Sequence, residues 1–318
     1  MKKSRRIILL LLTALLLFMI FRCGGFDALA RLLQRDIDFR STLAPEAEAE
    51  EPSPSPTCEA TPPPSTGPDI LPTTISGGLV IRNNTSYTVD VSELINSGVP
   101  FSLSASLPDI LIIHTHSSEA YSPAGLDKYV ASGTSRTLDP EYNVIRIGDE
   151  LTEIFEGCGL NVIHDREIYD YPSYTGSYTR SGEAVEAYLS QYPSIKIVID
   201  LHRDALGTDD VIYKVVADET GSCASQIMLL AGTDDSGLEH PHWQDNLRLA
   251  LYIQNAVTAR YPTLMRPVQL VTARYNQHLC PGSLILEVGS SGNTLQEALA
   301  AIRLFGNAAG PALADLLE

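Results

Sequence analysis

Three short apolar runs in this chain each end in residues that can bind a metal or move a proton. They are Asp109-Ile-Leu-Ile-Ile leading into His114-Thr-His116-Ser-Ser-Glu119, Ile195-Lys-Ile-Val-Ile-Asp-Leu leading into His202-Arg-Asp, and Ser283-Leu-Ile-Leu leading into Glu287-Val-Gly-Ser. Two histidines and one carboxylate, with a fourth position left for water, make a catalytic zinc set. His116 and Glu119 lie one helical turn apart and face the same way if the chain turns into a helix on leaving its strand, and His202 arrives from another strand end. His116, Glu119 and His202 are therefore the expected Zn2+ ligands. His114 shares a face with His116 in an extended segment, so either histidine is open as the ligand. His116 is preferred because it lies beyond the strand end and stands in the HxxE relation to Glu119.

Such a zinc polarises a carbonyl and lowers the pKa of its water to about 7, but a carboxylate must still take the proton and hand it to the leaving amine. Glu287 is the candidate, since it follows an apolar strand and precedes Gly289, where the backbone can approach a substrate closely. His114, when not a ligand, joins Glu287 on the catalytic side. Arg203 is expected to hold a substrate carboxylate or the developing oxyanion, and Asp200 or Asp204 to orient the His202 ring. A lone histidine at a strand end is more often just a satisfied or solvated polar residue. A glutamate inside Leu-Ile-Leu-Glu-Val is harder to explain that way, because a buried carboxylate is costly without a partner.

The elements that must position these groups follow from hydrophobic periodicity. Each apolar run has the length and branched content of a buried strand, and in an open α/β sheet the carboxyl ends of strands line one crevice. Leu79 to Val91 carries β-formers around Asn-Asn and predicts a hairpin. Val144, Ile147, Leu151, Ile154 and Phe155 predict an amphipathic helix, Leu160–Ile163 a short strand, and Gly182–Tyr192 a second helix. Val211–Ala217 and Gln226–Ala231 read as strands, Trp243–Tyr261 as a long helix closed by Pro262, Val268–Val271 as a strand, and Thr294 as the N-cap of a terminal helix. Strands alternating with helices predict an α/β fold, a mostly parallel sheet sandwiched by helices. The tyrosines at 169, 171, 174 and 178 read equally as a glycan-stacking surface or a loop packed on itself. His240 and His242 beside Trp243 read as a helix entrance.

Met1-Lys-Lys-Ser-Arg-Arg precedes an apolar run from Ile7 to Phe21. The run is short for a span of about 20 residues, but no small-x-small cleavage site follows it, so residues 1–24 are expected to be a cytoplasmic tail and an uncleaved transmembrane anchor. Residues 25–76, rich in Pro, Ser and Thr, are expected to be a spacer, and residues 77–318 one large extracytoplasmic domain. A formal charge of −17 argues against nucleic acid or another polyanion as partner. Five scattered cysteines read as mostly free thiols.

His114-Thr-His-Ser-Ser-Glu-Ala-Tyr121, Ser177-Tyr-Thr-Arg-Ser181, Ile199-Asp-Leu-His-Arg-Asp-Ala205, His240-Pro-His-Trp-Gln-Asp-Asn-Leu247, Ala273-Arg-Tyr-Asn-Gln277 and Leu286-Glu-Val-Gly-Ser290 with Asn293-Thr294 also resemble, in this order, the stage II sporulation protein P family. The likeness runs from about Gly78 to about Gly306, and the anchor and spacer fit it. The resemblance implies a membrane-anchored peptidoglycan hydrolase of endospore-forming bacteria, active in engulfment. It further implies similarity to zinc-dependent N-acetylmuramoyl-L-alanine amidases, with endopeptidase activity on crosslinked stem peptides besides. In those amidases a His, a Glu and a second His bind zinc and a Glu in a Glu-Val-Gly motif acts in catalysis. Those roles fall on His116 (or His114), Glu119, His202 and Glu287, although the amidases place their first glutamate ligand farther from the first histidine. The resemblance also implies a complex with stage II sporulation proteins D and M. Two other readings compete with the amidase: a stem-peptide zinc carboxypeptidase or endopeptidase using the same ligands, and a catalytically silent wall-binding scaffold.

Overall fold

The computed structural model of the protein describes residues 69–75, 79–208, 210–219 and 222–318. The expected anchor and most of the expected spacer lie outside the described residues, among which no helix is long and apolar enough to cross a membrane. In chain order the elements are β1 (Asp69–Thr73), β2 (Ile81–Asn83), α1 (Val91–Ser97), β3 (Ile110–Ile113), α2 (Val144–Gly157), β4 (Val162–His164), α3 (Ser177–Gln191) and β5 (Ile197–Asp204). They continue with β6 (Val211–Glu219), β7 (Ser222–Ser225), β8 (Ile227–Gly232), α4 (Trp243–Arg260), β9 (Val268–Val271), a 3-10 turn (Gln277–Leu279), β10 (Ser283–Ser290) and α5 (Leu295–Ala314).

Seven strands form the main sheet in the order β2-β9-β8-β10-β5-β3-β4. Every neighbouring pair is parallel except β8 against β10, so the sheet is mixed, with two parallel blocks of opposite direction. The apolar runs are buried on both faces, as strands covered by helices on each side must be. Alternation along β3 and β5 divides them: Ile110, Ile112, Ile197 and Ile199 join α2, α4 and α5 in the main core. Leu111, Ile113 and Val198 face the other way onto Val185 of α3. The helix sandwich expected from the sequence is thus present, with three helices on one face and α3 on the other.

A smaller sheet, β1-β6-β7, pairs β1 with β6 in parallel and β6 with β7 antiparallel; β1 falls within the stretch expected as spacer. The hairpin expected between Leu79 and Val91 does not form. Ile81–Asn83 instead pairs in parallel with β9. Asn83 Oδ1 accepts from the amide and hydroxyl of Thr85, an Asx turn that leads the chain away from pairing with itself, and Asp90 caps α1 by accepting from Glu93 N. Helix α3 starts earlier than expected, at Ser177, because Gly176 takes up a left-handed conformation (φ 83°) that turns the chain into it. The N-cap expected at Thr294 is a full capping box, Thr294 Oγ1 accepting from Glu297 N and Glu297 accepting from Thr294 N. Cys158 and Cys280 are free thiols, and Cys223 is disulfide-bonded.

Candidate metal centre

Register brings the chemistry together. Ile112 of β3 pairs with His164 of β4, Ile113 with Asp200 of β5, and Glu287 of β10 with His202 of β5. Four adjacent strands therefore deliver polar groups to one edge of the sheet.

Past Ile113 the chain makes a tight turn, not the helix expected, closed by Glu119 N donating to His116 O. The turn still sets the two side chains on one side: His116 Nδ1 lies 3.7 Å from Glu119 Oε1, and His202 Nδ1 lies 3.4 Å from Glu119 Oε2. The two imidazoles are perpendicular, with centroids 5.0 Å apart. One ligand atom from each of His116, Glu119 and His202 lies within 4.8 Å of the others, and all three residues are buried. Nε2 of both histidines is buried without a hydrogen-bond partner among the described residues. His202 Nε2 is 2.8 Å from Asp200 Oδ1 but poorly aligned for a hydrogen bond. Buried polar atoms are rarely left orphaned, and two imidazole nitrogens beside a carboxylate are the donor set zinc takes. The residues fit the metal.

The local electrostatics are those of a cation site. Burial disfavours the His202 imidazolium, but Asp200 and Glu119 on either side outweigh it and raise its pKa well above the usual value. Burial likewise opposes the Glu119 charge, yet the hydrogen bond from His202 and the charges of Arg203, His202 and His116 hold its pKa down at about 2. Asp200 is kept ionised despite burial by His202 and by the amide and hydroxyl of Thr115, each 2.7 Å from it. The two carboxylates thus favour positive charge at His202. Of the two aspartates expected beside His202, Asp200 is the one that approaches it, 2.8 Å from Nε2, whereas Asp204 pairs with Arg266 at 2.7 Å.

Glu287 stands beside His202 across the β5–β10 pairing. Its Oε2 is buried without a hydrogen-bond partner among the described residues. Burial lifts the carboxyl pKa to about 8, with His202 and Arg203 opposing the rise and Asp204 and Glu119 adding to it. Gly289 does not open the backbone to a substrate as expected. It sits at positive φ (68°) where the register shifts, and a Cβ there would meet Ser225 Oγ at 2.9 Å, so packing against the Ser225 side chain is what requires it.

Two residues expected in catalytic roles are placed elsewhere. His114 is fully buried behind the ligands: Nδ1 donates to Leu201 O at 2.9 Å and Nε2 lies 2.8 Å from His164 Nε2. With both ring nitrogens engaged, it supports β5 and does not face the crevice. Arg203 aims its guanidinium at backbone carbonyls, Nε to Ala120 O at 2.9 Å and Nη2 to Ser135 O at 3.0 Å, while its amide donates to Glu119 Oε2. It straps the loop that follows Glu119 and leaves no donor fork for a substrate. Arg136, which the sequence did not single out, bonds Glu119 Oε1 at 3.3 Å and is anchored by Asp170; Asp170 in turn accepts from the amide and hydroxyl of Ser118. Neither lies in a periodic segment, so only an arginine in a turn-rich loop hinted at it.

The tyrosines divide. Tyr169 donates to Asp165 at 2.6 Å within its own loop. Tyr174, 57% exposed, stacks on His116 with centroids 4.6 Å apart, and Tyr178 meets the same ring edge-on at 5.4 Å. Arg136 lies over the Tyr174 ring. His240 and His242 lead into α4, as expected of a helix entrance.

Solved structures to which the chain is similar include N-acetylmuramoyl-L-alanine amidases. Ami1, an N-acetylmuramyl-L-alanine amidase from Mycobacterium smegmatis, shares 12% identity at a TM-score of 0.38, covering 68% of this chain and 98% of that one. The CwlD amidase from Clostridioides difficile, solved in complex with the GerS lipoprotein, shares 16% at 0.36, covering 63% and 96%. Among curated proteins, Stage II sporulation protein P of Bacillus subtilis (strain 168) is 24% identical over 199 residues, 59% of this chain and 47% of the relative, so the chain spans about half that relative's length. The family description Stage II sporulation protein P (SpoIIP) matches residues 44–309. Most of the sequence, including His116, Glu119, His202 and Glu287, falls inside that match, and the chain belongs to the stage II sporulation protein P family.

Proposed function

We propose that the protein is a zinc-dependent peptidoglycan hydrolase, an N-acetylmuramoyl-L-alanine amidase acting on the cell wall during endospore formation. The observation that carries this reading is the buried His116–Glu119–His202 cluster, one ligand atom of each within 4.8 Å of the others, with Glu287 beside His202 across the β5–β10 pairing. His116, Glu119 and His202 would hold zinc, which supplies a Lewis acid that polarises a carbonyl and acidifies water. Glu287 takes the proton of the attacking water and passes it to the leaving amine, a role suited to a carboxyl whose pKa lies near neutrality. Asp200 fixes the His202 ring, and Arg136 with the Arg203 amide fixes Glu119. The apolar run Ile7–Phe21 supports an anchor with the catalytic domain on the outer side, and the family resemblance supports a complex with stage II sporulation proteins D and M.

Mass spectrometry of purified peptidoglycan digested by the full chain tests the reading. Free lactyl groups on the glycan and free L-alanine amino termini are expected, and a chelator should abolish them. Cleavage confined to stem peptides would make the protein an endopeptidase or carboxypeptidase instead. Binding to wall material without soluble products would make it a scaffold.

A further inference from the structure

Two phenols border the ligand cluster and have no assigned task. Tyr178 lies in the first turn of α3, where the left-handed Gly176 starts the helix, and its ring meets His116 edge-on. Tyr275 packs on Tyr178 with centroids 5.4 Å apart. Tyr275 holds a positive φ of 50°, an uncommon state for a bulky side chain that persists only when its surroundings impose it. They do so here. Asn276 donates to Tyr178 O at 2.8 Å and to Ser181 Oγ at 3.1 Å, tying the turn to α3. Gln277 bonds Leu230 O and the Gly232 amide, tying it to β8. Gly182 makes room for this join, since a Cβ there would meet Asn276 Oδ1 at 3.0 Å. The strain is thus maintained from both sides, and it presents one particular ring to the crevice.

The hydroxyls make the case sharper. Tyr87, Tyr121, Tyr129, Tyr169 and Tyr252 each donate to a protein acceptor. Tyr178 and Tyr275, both half-buried, donate to none among the described residues, though the Tyr178 hydroxyl lies in the field of Asp200, Glu287 and Glu119, and that of Tyr275 in the field of Glu287 and His202. Two O–H groups without a protein acceptor among the described residues therefore border the groups that would surround a reacting amide.

We propose that Tyr178 and Tyr275 are catalytic donors whose phenolic hydroxyls hydrogen-bond the scissile carbonyl oxygen as it gains negative charge. The proposal rests on the hydrolase reading above. The water oxygen bonds to the carbonyl carbon and its proton passes to Glu287, while the carbonyl π pair moves onto oxygen, where the two O–H groups meet it. When that pair returns, the C–N bond breaks, the nitrogen leaves with the proton from Glu287, and the products are a carboxylic acid and an amine. Neither phenol is consumed. Donors that meet developing charge act on the transition state and not on the bound substrate.

The test compares the full chain with Tyr178→Phe and Tyr275→Phe, which keep the rings and remove only the hydroxyls. Each should lower kcat on muropeptides by roughly 10²-fold, as loss of one such donor does, with KM changed only a few-fold and zinc content unchanged by metal analysis. In a Glu287→Gln background, calorimetry should show the Phe variants weakening binding of a tetrahedral phosphonamidate analogue while leaving muropeptide binding intact. Unchanged kcat, or a change in KM alone, overturns the proposal and makes these tyrosines packing or substrate-contact residues, with the hydrolase reading untouched. A wild-type chain that cuts no peptidoglycan overturns the hydrolase reading, and this proposal with it.

Discussion

Glu287 is half-buried at the end of an apolar run, and burial of its carboxyl, in the absence of metal, favours the protonated form. Its pKa is about 8 when folded and 4.5 when free, so between those values the unfolded chain releases a proton that the folded chain keeps, and folding stability falls as pH rises. The metal-free Glu287→Gln protein, uncharged at every pH, should gain on wild type from pH 4.5 upward and level off near pH 8. Urea unfolding across that range, with chelator present, reads the gap, and parallel curves would show that the carboxyl is solvated. The same variant should keep zinc while losing rate by roughly 10²- to 10⁴-fold; loss of zinc would move Glu287 into the ligand set and make Glu119 the candidate base. The histidines separate in the same way. His116→Ala should lose zinc, whereas His114→Ala should keep it and be destabilised by about 1–3 kcal/mol, because Leu201 O and His164 Nε2 lose their partner. The reverse pattern of metal content would exchange their roles. His202 and Glu287 were legible in sequence because a polar group that ends an apolar run has few bland explanations. Arg136 and Asp170 were not, since they reach Glu119 from turns with no periodic signature.

Helix α2 must pass close over the end of β4, and Gly148 is where it does. A Cβ there would lie 2.5 Å from His164 Nε2 and 2.8 Å from His114 Nε2. Gly148→Ala should therefore destabilise the fold by about 1–3 kcal/mol, the usual cost of overpacking, against the gain in helix propensity that alanine would bring on an open surface. Thermal unfolding checks the direction, and an unchanged or raised Tm would mean that the histidine pair moves aside freely. The body of α2 was readable from its apolar spacing, and α5 from its capping box. Element starts were less so where a side chain or a glycine decides them. Asn83 and Asp90 turned an expected hairpin into a strand and a helix, and Gly176 began α3 ahead of its apolar face. Such local hydrogen bonds compete with ladder pairing and leave the hydrophobic pattern unchanged.

At the scale of the described sheet, the candidate ligands belong to one of the two parallel blocks, β4-β3-β5-β10, while β8, β9 and β2 run the other way. A mostly parallel α/β sheet was legible from alternating strands and helices. The reversal at β8 and the separate β1-β6-β7 sheet were not, because an apolar run records burial and not the direction of its neighbour. Packing of this block sets the pH range in which a metal can be held. His202 must lose its proton to become a ligand, and Asp200 with Glu119 raises its pKa well above the ordinary value, so protons compete with zinc from a higher pH than at a solvated histidine. Zinc affinity, measured against a competing chelator, should fall steadily from mildly alkaline to mildly acidic pH. An affinity independent of pH over that range would show that His202 is neutral before the metal arrives.

The pairing of β3 with β5 and of β5 with β10 joins segments far apart along the chain. Contacts of this kind form late, because closing the intervening loops costs entropy before any pairing rewards it. Glu119 and His116 come with the first of these strands, His202 with the second and Glu287 with the third, so no fragment shorter than the assembled sheet contains a complete centre. The proposed centre therefore has a built-in delay: until its last strand docks, the chain possesses every candidate group and no means of using them together.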